Sequence, residues 1–177
     1  MLLEEAARLA GGHRWFESRL FEILGGWVAS TDDPDAKLLF DRHSQHHAWR
    51  ADQWWDRLPV LADVDRLGLV TAPSAQMAEV AAALAALEGA VPRLAGAYRL
   101  ALPRLVAAYQ DHRLTVSPAS DGAVLRTLDI VVPDAVADWR DGEVFLQQRL
   151  ADEMQVQLAA DTVSRLERLL VTPGPGR

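Results

Sequence analysis

Residues 74–112 read SAQMAEVAAALAALEGAVPRLAGAYRLALPRLVAAYQDH, and their periodicity decides the fold class. Val80, Leu84, Leu87, Val91, Leu94, Tyr98, Leu102, Leu105 and Tyr109 recur in steps of three and four, which on a helix makes one apolar stripe. Ser74 is a good N-cap. The spacing predicts a single long helix to about His112. It is kinked but not ended by Pro92 and Pro103, because the stripe keeps its phase across both.

The same period runs through the rest of the chain. Residues 3–28 predict a first helix with Leu9, Phe16, Leu20, Ile23 and Trp27 on one face. The stretch from Ser30 to Asp33 ends it and caps a second helix that starts at Pro34 and runs to about Arg57, before Pro59. A connection over residues 60–73 leads to the third helix. Ser117-Pro118 caps a fourth, bearing Leu125, Leu128, Val132, Val136, Trp139 and Leu146, with a kink at Pro133. The register weakens near Asp152, which predicts a separate terminal helix over residues 153–171. No stretch sustains strand alternation. The expectation is an all-α antiparallel four-helix bundle with a C-terminal helical extension: one domain over residues 1–171, then a flexible tail at 172–177. The Gly11-Gly12 and Gly25-Gly26 pairs lower helix propensity by ~1 kcal/mol per glycine, which predicts close approach of a neighbouring helix at each.

Composition narrows the chemistry. The chain has 177 residues, half of them apolar, enough for one substantial core. It has no cysteine, so any metal rests on nitrogen and oxygen ligands, which suits iron, manganese or zinc. A net charge of −7, with arginine and acidic residues interspersed, argues against a nucleic-acid-binding surface. No run approaches the roughly 18 apolar residues of a membrane span. The acidic start Met1-Leu-Leu-Glu-Glu lacks the order of a secretory signal, so a cytoplasmic location is expected. A single lysine, Lys37, and the absence of asparagine suggest a GC-rich bacterial genome.

Between His43 and Trp55 lie His43, His46, His47, Trp49, Arg50, Trp54 and Trp55, an unusual density of imidazole and indole. On a helix, Leu39, His43, His46 and Arg50 share a stripe that should face the core, with His47 flanking. Inward imidazoles and a guanidinium are costly unless each finds a partner, which points to a polar network or a binding site. Further inward polar groups are expected on the other helices: His13 and Glu17 on the first, Tyr98 with Glu88 at the margin on the third, Asp129 and Glu143 on the fourth. Glu143 is the leading expected partner for Arg50, and Glu17 pairs with His13 in the plainer reading.

The order of helices, with Glu17 on the first and His43-x-x-His46 on the second, resembles the ferritin-like superfamily. His46-His47-Ala-Trp49-Arg50, Trp55-Asp-Arg-Leu-Pro59 and Asp138-Trp-Arg-Asp-Gly-Glu143 are similar to actinobacterial ferritin-like proteins grouped with the tRNA-hydroxylase-like family. In ferritin-like di-iron proteins two helices supply single carboxylates and two supply Glu-x-x-His. This chain departs from that pattern: His43 stands where a glutamate is expected, Tyr98 lies near the third helix's carboxylate position, and the fourth helix offers only Asp134-x-x-Ala137. With these departures the resemblance leaves two outcomes open: a single metal, iron or manganese, held by Glu17, His43 and His46 as a two-histidine, one-carboxylate set, or no metal at all. Glu17 and His46 lie at similar depth from the turn that joins their helices. DinB-like metalloproteins offer a second resemblance, but they spread their histidines over two helices, whereas His43, His46 and His47 share one.

Two functions compete. In one, a ferritin-like bundle with a degenerate metal site serves as a binding or accessory subunit for a small-molecule pathway, with Arg50, Tyr98, Asp129, Glu143 and His47 in a polar network. In the other, a non-haem metal-dependent oxidase or hydroxylase acts on a small molecule in the bundle core. The expected partners are a small molecule or another protein, including a second copy of the chain.

Overall fold

The computed structural model describes residues 3–60, 62 and 64–171; the tail expected beyond residue 171 lies outside them. The described residues form helices and connections, with no strand. Helix α1 (Leu3–Ser30) turns through three residues into α2 (Pro34–Trp55). Asp33 makes that turn sharp: its side chain accepts from the Asp35 and Ala36 amides at 3.0 and 3.1 Å, and Pro34 stands where no amide hydrogen is needed. α1 and α2 are therefore antiparallel neighbours.

The long third helix is the main departure from expectation. It is divided into α3 (Ala75–Ala85), α4 (Ala90–Ala95), a π-helical segment (Gly96–Ala101) and α5 (Leu102–Thr115). Ser74 caps α3 as expected, accepting from the Met77 amide at 3.1 Å. The chain breaks at Gly89, whose φ of +80° an L side chain rarely adopts. Pro92 then falls in the first turn of a new helix, where its missing amide costs nothing, so it starts a helix instead of kinking one. Ahead of Pro103 the helix widens, and the Leu102 amide bonds back to Ala97. The apolar stripe survives both events: Val80, Leu84, Leu87, Leu94, Tyr98, Leu102, Leu105 and Tyr109 are all buried.

Helix α6 (Gly122–Gln147) begins later than the Ser117 expectation; residues 117–120 form a turn in which the Ser117 amide donates to Asp121. Helix α7 (Glu153–Val171) is separate, as the sequence indicates. α1 packs on α2 and α5, and α6 packs on α2 and α5, so these four helices surround one interior. α3 and α7 cover the α4 end. Phe16, Leu20, Leu24, Phe40, Trp54, Leu105, Leu128 and Val131 fill that interior, each large apolar side chain contributing roughly 1.5–3 kcal/mol by leaving water. Among the described residues, no helix is long and apolar enough to cross a membrane.

Gly11, Gly12 and Gly25 serve close approach. The Leu69 carbonyl, at the end of a short 3-10 helix (Leu67–Leu69), lies where a Gly11 Cβ would be, and the Pro73 ring lies 3.3 Å from a Gly12 Cβ position. Gly25 meets Ser44 of α2, whereas Gly26 has no described neighbour within 4 Å of its Cβ position.

Candidate metal centre

The inward face of α2 is Ala36, Phe40, His43, His47, Arg50 and Trp54. Relative to expectation the stripe is rotated toward His47, which is fully buried, while the His46 side chain keeps 40% of its exposure. Arg50 is the hub. Its Nε donates to Glu17 Oε1 at 2.9 Å, and its Nη1 donates to Asp138 Oδ2 at 2.7 Å and to Asp134 Oδ2 at 2.5 Å. Burial opposes the guanidinium's charge, but Glu17 and then Asp138 outweigh it and raise its pKa above that of a free arginine. Glu143, the expected partner, is elsewhere: it accepts from Arg99 at 2.8 Å and from Gln147. Asp129 is also outside the network, on the surface against Arg113 at 2.5 Å. Both follow from the rotation of α6, whose buried face is Leu128, Val131, Ala135, Asp138, Gly142 and Leu146. Glu143 and Asp129 are each one residue off that face.

Glu17 is fully buried and fully engaged. Besides Arg50, its carboxylate meets His47 Nδ1 at 2.5 Å and accepts from the Tyr109 hydroxyl, which in turn accepts from Trp54 Nε1 at 3.0 Å. Burial alone would raise its pKa, but Arg50 and then His47 hold it below the ordinary carboxylate value. His47 Nδ1 is met from two sides, by the Glu17 carboxylate and by Arg50 Nη2 at 2.9 Å, while its buried Nε2 has no partner among the described residues. His13, expected beside Glu17, instead meets His112, Nε2 to Nδ1 at 3.1 Å.

The carboxylate that reaches the other imidazoles is Asp138, not Glu17. Asp138 Oδ1 lies 2.8 Å from His46 Nδ1 and 3.5 Å from His43 Nε2. One ligand atom from each of His43, His46 and Asp138 lies within 4.8 Å of the others, close enough for this group to hold a metal ion. Ligand atoms ~2.0–2.2 Å from one ion sit about 3–3.5 Å apart, and the two separations from Asp138 Oδ1 fall near that range. The buried His43 has its pKa lowered to about 4, chiefly by desolvation, which keeps the imidazole neutral as a ligand must be. Its Nδ1 faces the buried Tyr98 hydroxyl at 2.8 Å, an outer partner that fixes the ring's orientation. Asp141 closes the outer side, 3.3 Å from His43 Nε2 and paired with Arg42. The exposed edges of His46 and Asp141 open the group to solvent.

Tyr98 owes its position to two backbone features. It lies in the π-helical segment, and its ring occupies the place where a Cβ on Gly142 would be. Gly142 thus lets α6 approach the tyrosine that orients His43. Asp138 and Asp134 were missed as site residues because the apolar weights of Val132, Val136 and Trp139 draw the stripe of α6 to one side. The run Val131, Ala135, Asp138, Gly142, Leu146, at helical spacing and rich in small residues, marks the true packed face.

No protein-family model matches this chain, nor does any curated protein or solved structure.

Proposed function

We propose that this protein is a ferritin-like helical bundle in which the paired-metal centre has been replaced. Arg50 occupies the place between carboxylates from α1 and α6, and one divalent metal binds beside it at His43, His46 and Asp138. The observation that carries this reading is the convergence of two imidazoles and one carboxylate at ligand spacing. Charge supports it. Glu17, Asp134 and Asp138 surround a single guanidinium, leaving negative charge in excess that a divalent ion next to Asp138 would offset.

Two histidines and one carboxylate leave coordination positions open, the arrangement that suits non-haem iron in oxidase or hydroxylase chemistry. When bound, iron would supply the redox step. His43 and His46 would hold it through Nε2 and Nδ1, and Tyr98 would fix the His43 ring. Arg50 would keep Asp138 ionised and aimed. The substrate would be a small molecule reaching the solvent-exposed edge formed by His46.

A second reading rests on Arg50 itself. A guanidinium already satisfied by three carboxylates holds the helices in register without metal, as a binding or accessory subunit would need. Anaerobic loading with ferrous iron followed by nitric oxide separates the two. An iron–nitrosyl signal in electron paramagnetic resonance, lost in His46→Ala, supports an open catalytic site. Iron that binds but takes no nitric oxide supports a closed structural site, and absence of binding supports the metal-free subunit.

A further inference from the structure

Against Trp54 and Tyr109, a second pair of buried histidines lies beside a pocket of about 340 Å³. Its lining is mainly apolar, with Leu9 and Phe16 from α1, Met77 from α3 and Leu105 from α5, while Glu5, Arg8, Arg104 and Asp111 line it as exposed residues of balanced charge. His13 and His112 also line it and are hydrogen-bonded to each other, His13 Nε2 to His112 Nδ1 at 3.1 Å. The two rings are stacked with centroids 5.1 Å apart, and Trp54 lies against both.

His112 is 1% exposed, and its buried Nε2 has no hydrogen-bond partner among the described residues. A buried polar nitrogen left unpaired is destabilising, so its place beside a cavity is informative. Burial lowers the pKa of both rings, that of His13 to about 3, so the pair is uncharged at neutral pH. One proton is shared across the 3.1 Å contact. If His13 donates, His112 Nε2 carries a hydrogen and needs an acceptor; if His112 donates, its Nε2 is bare and needs a donor. A hydroxyl group satisfies either arrangement, whereas a carboxylate satisfies only the first and an ammonium only the second. An apolar cavity of roughly 150 Å³ already accommodates benzene, so this pocket has room for a body of one or two rings.

We propose that the pocket between α1, α3 and α5 binds a small, uncharged aromatic or alicyclic molecule bearing one hydroxyl, with the body against Phe16, Met77 and Leu105 and the hydroxyl on His112 Nε2. The site is separate from the His43, His46 and Asp138 group, and the inference does not rest on metal binding there.

The test uses the full chain and two probes of nearly equal shape, para-cresol and toluene, titrated by ligand-observed nuclear magnetic resonance or calorimetry. The expected result is that para-cresol binds about tenfold more tightly than toluene, the worth of one net hydrogen bond near the upper end of its usual range. His112→Phe keeps the ring and its stacking but removes the nitrogen, and should reduce that preference to below about twofold while toluene still binds. Ala108→Trp, at an exposed position on the pocket rim, should abolish binding of both probes without touching the core. No binding of either probe to the wild-type chain would overturn the proposal. So would a cresol preference that survives His112→Phe, or binding of both probes undiminished in Ala108→Trp if His112→Phe fails to fold.

Discussion

Arg50 and Asp138 meet across the α2–α6 interface through one oxygen only: Asp138 Oδ2 accepts from Arg50 Nη1 at 2.7 Å, which leaves Oδ1 to face His46 Nδ1 at 2.8 Å. The carboxylate is therefore shared between a structural ion pair and a candidate metal centre. Burial works to raise its pKa, but His43 and Arg50 lower it, so Asp138 remains ionised for both tasks. Fold and site are linked at this residue.

The buried side of that link is expected to dominate stability. Glu17→Gln removes a charge from a fully buried partner of Arg50 and should cost on the order of 3–5 kcal/mol in urea unfolding. Glu143→Gln touches the half-buried Arg99 pair and the Gln147 contact, and should cost less than about 1 kcal/mol. Equal losses in the two variants would mean that Arg50 is not the hub.

Gly142→Ala places a methyl group where the Tyr98 ring lies. Overpacking of this kind typically costs about 1–3 kcal/mol, and the tyrosine must move away from His43. A melting temperature unchanged from wild type, with Tyr98 still bonded to His43 in a structure of the variant, would contradict the packing described.

The helices were legible in the sequence because their apolar stripes are long, and α1, α2 and α7 fall close to where periodicity places them. The break at Gly89 was not, because Leu84, Leu87, Val91 and Leu94 stay in phase across it; an apolar stripe records which face is buried, not whether the backbone is continuous. His43, Arg50 and Tyr98 were readable as inward polar residues for the same reason. The choice between His46 and His47 was not legible, because adjacent histidines differ by one step of about 100° on a helix, and nothing in the local sequence says which of the two the neighbouring helices bury. Asp134 and Asp138 depend on the rotation of α6, a tertiary property set by small residues such as Ala135 and Gly142 that carry little weight in a hydrophobic pattern.

His13 gives the chain a pH dependence. Its pKa is about 3 when folded, lowered chiefly by burial and then by His112, against 6.5 when free. As pH falls through 6.5 the unfolded chain takes up this proton and the folded chain does not, so stability present above pH 6.5 is lost toward pH 3. The slope from this one group is ~1.4 kcal/mol per pH unit. Between pH 7 and pH 5, His13→Gln should show a shallower loss of stability than wild type by roughly 2 kcal/mol. Parallel curves for the two proteins would remove His13 as the cause.

Metal stoichiometry tests the account most directly. Chelator-treated protein is titrated with cobalt(II), read by its visible absorption and by calorimetry, alongside His46→Ala, a variant chosen because the His46 side chain is partly exposed and its loss leaves the Arg50 network in place. The predicted result is one equivalent bound by the wild-type chain and at least a tenfold weaker affinity in His46→Ala. A wild-type chain that binds no cobalt, or one that binds it equally well without His46, would contradict a metal centre at His43, His46 and Asp138.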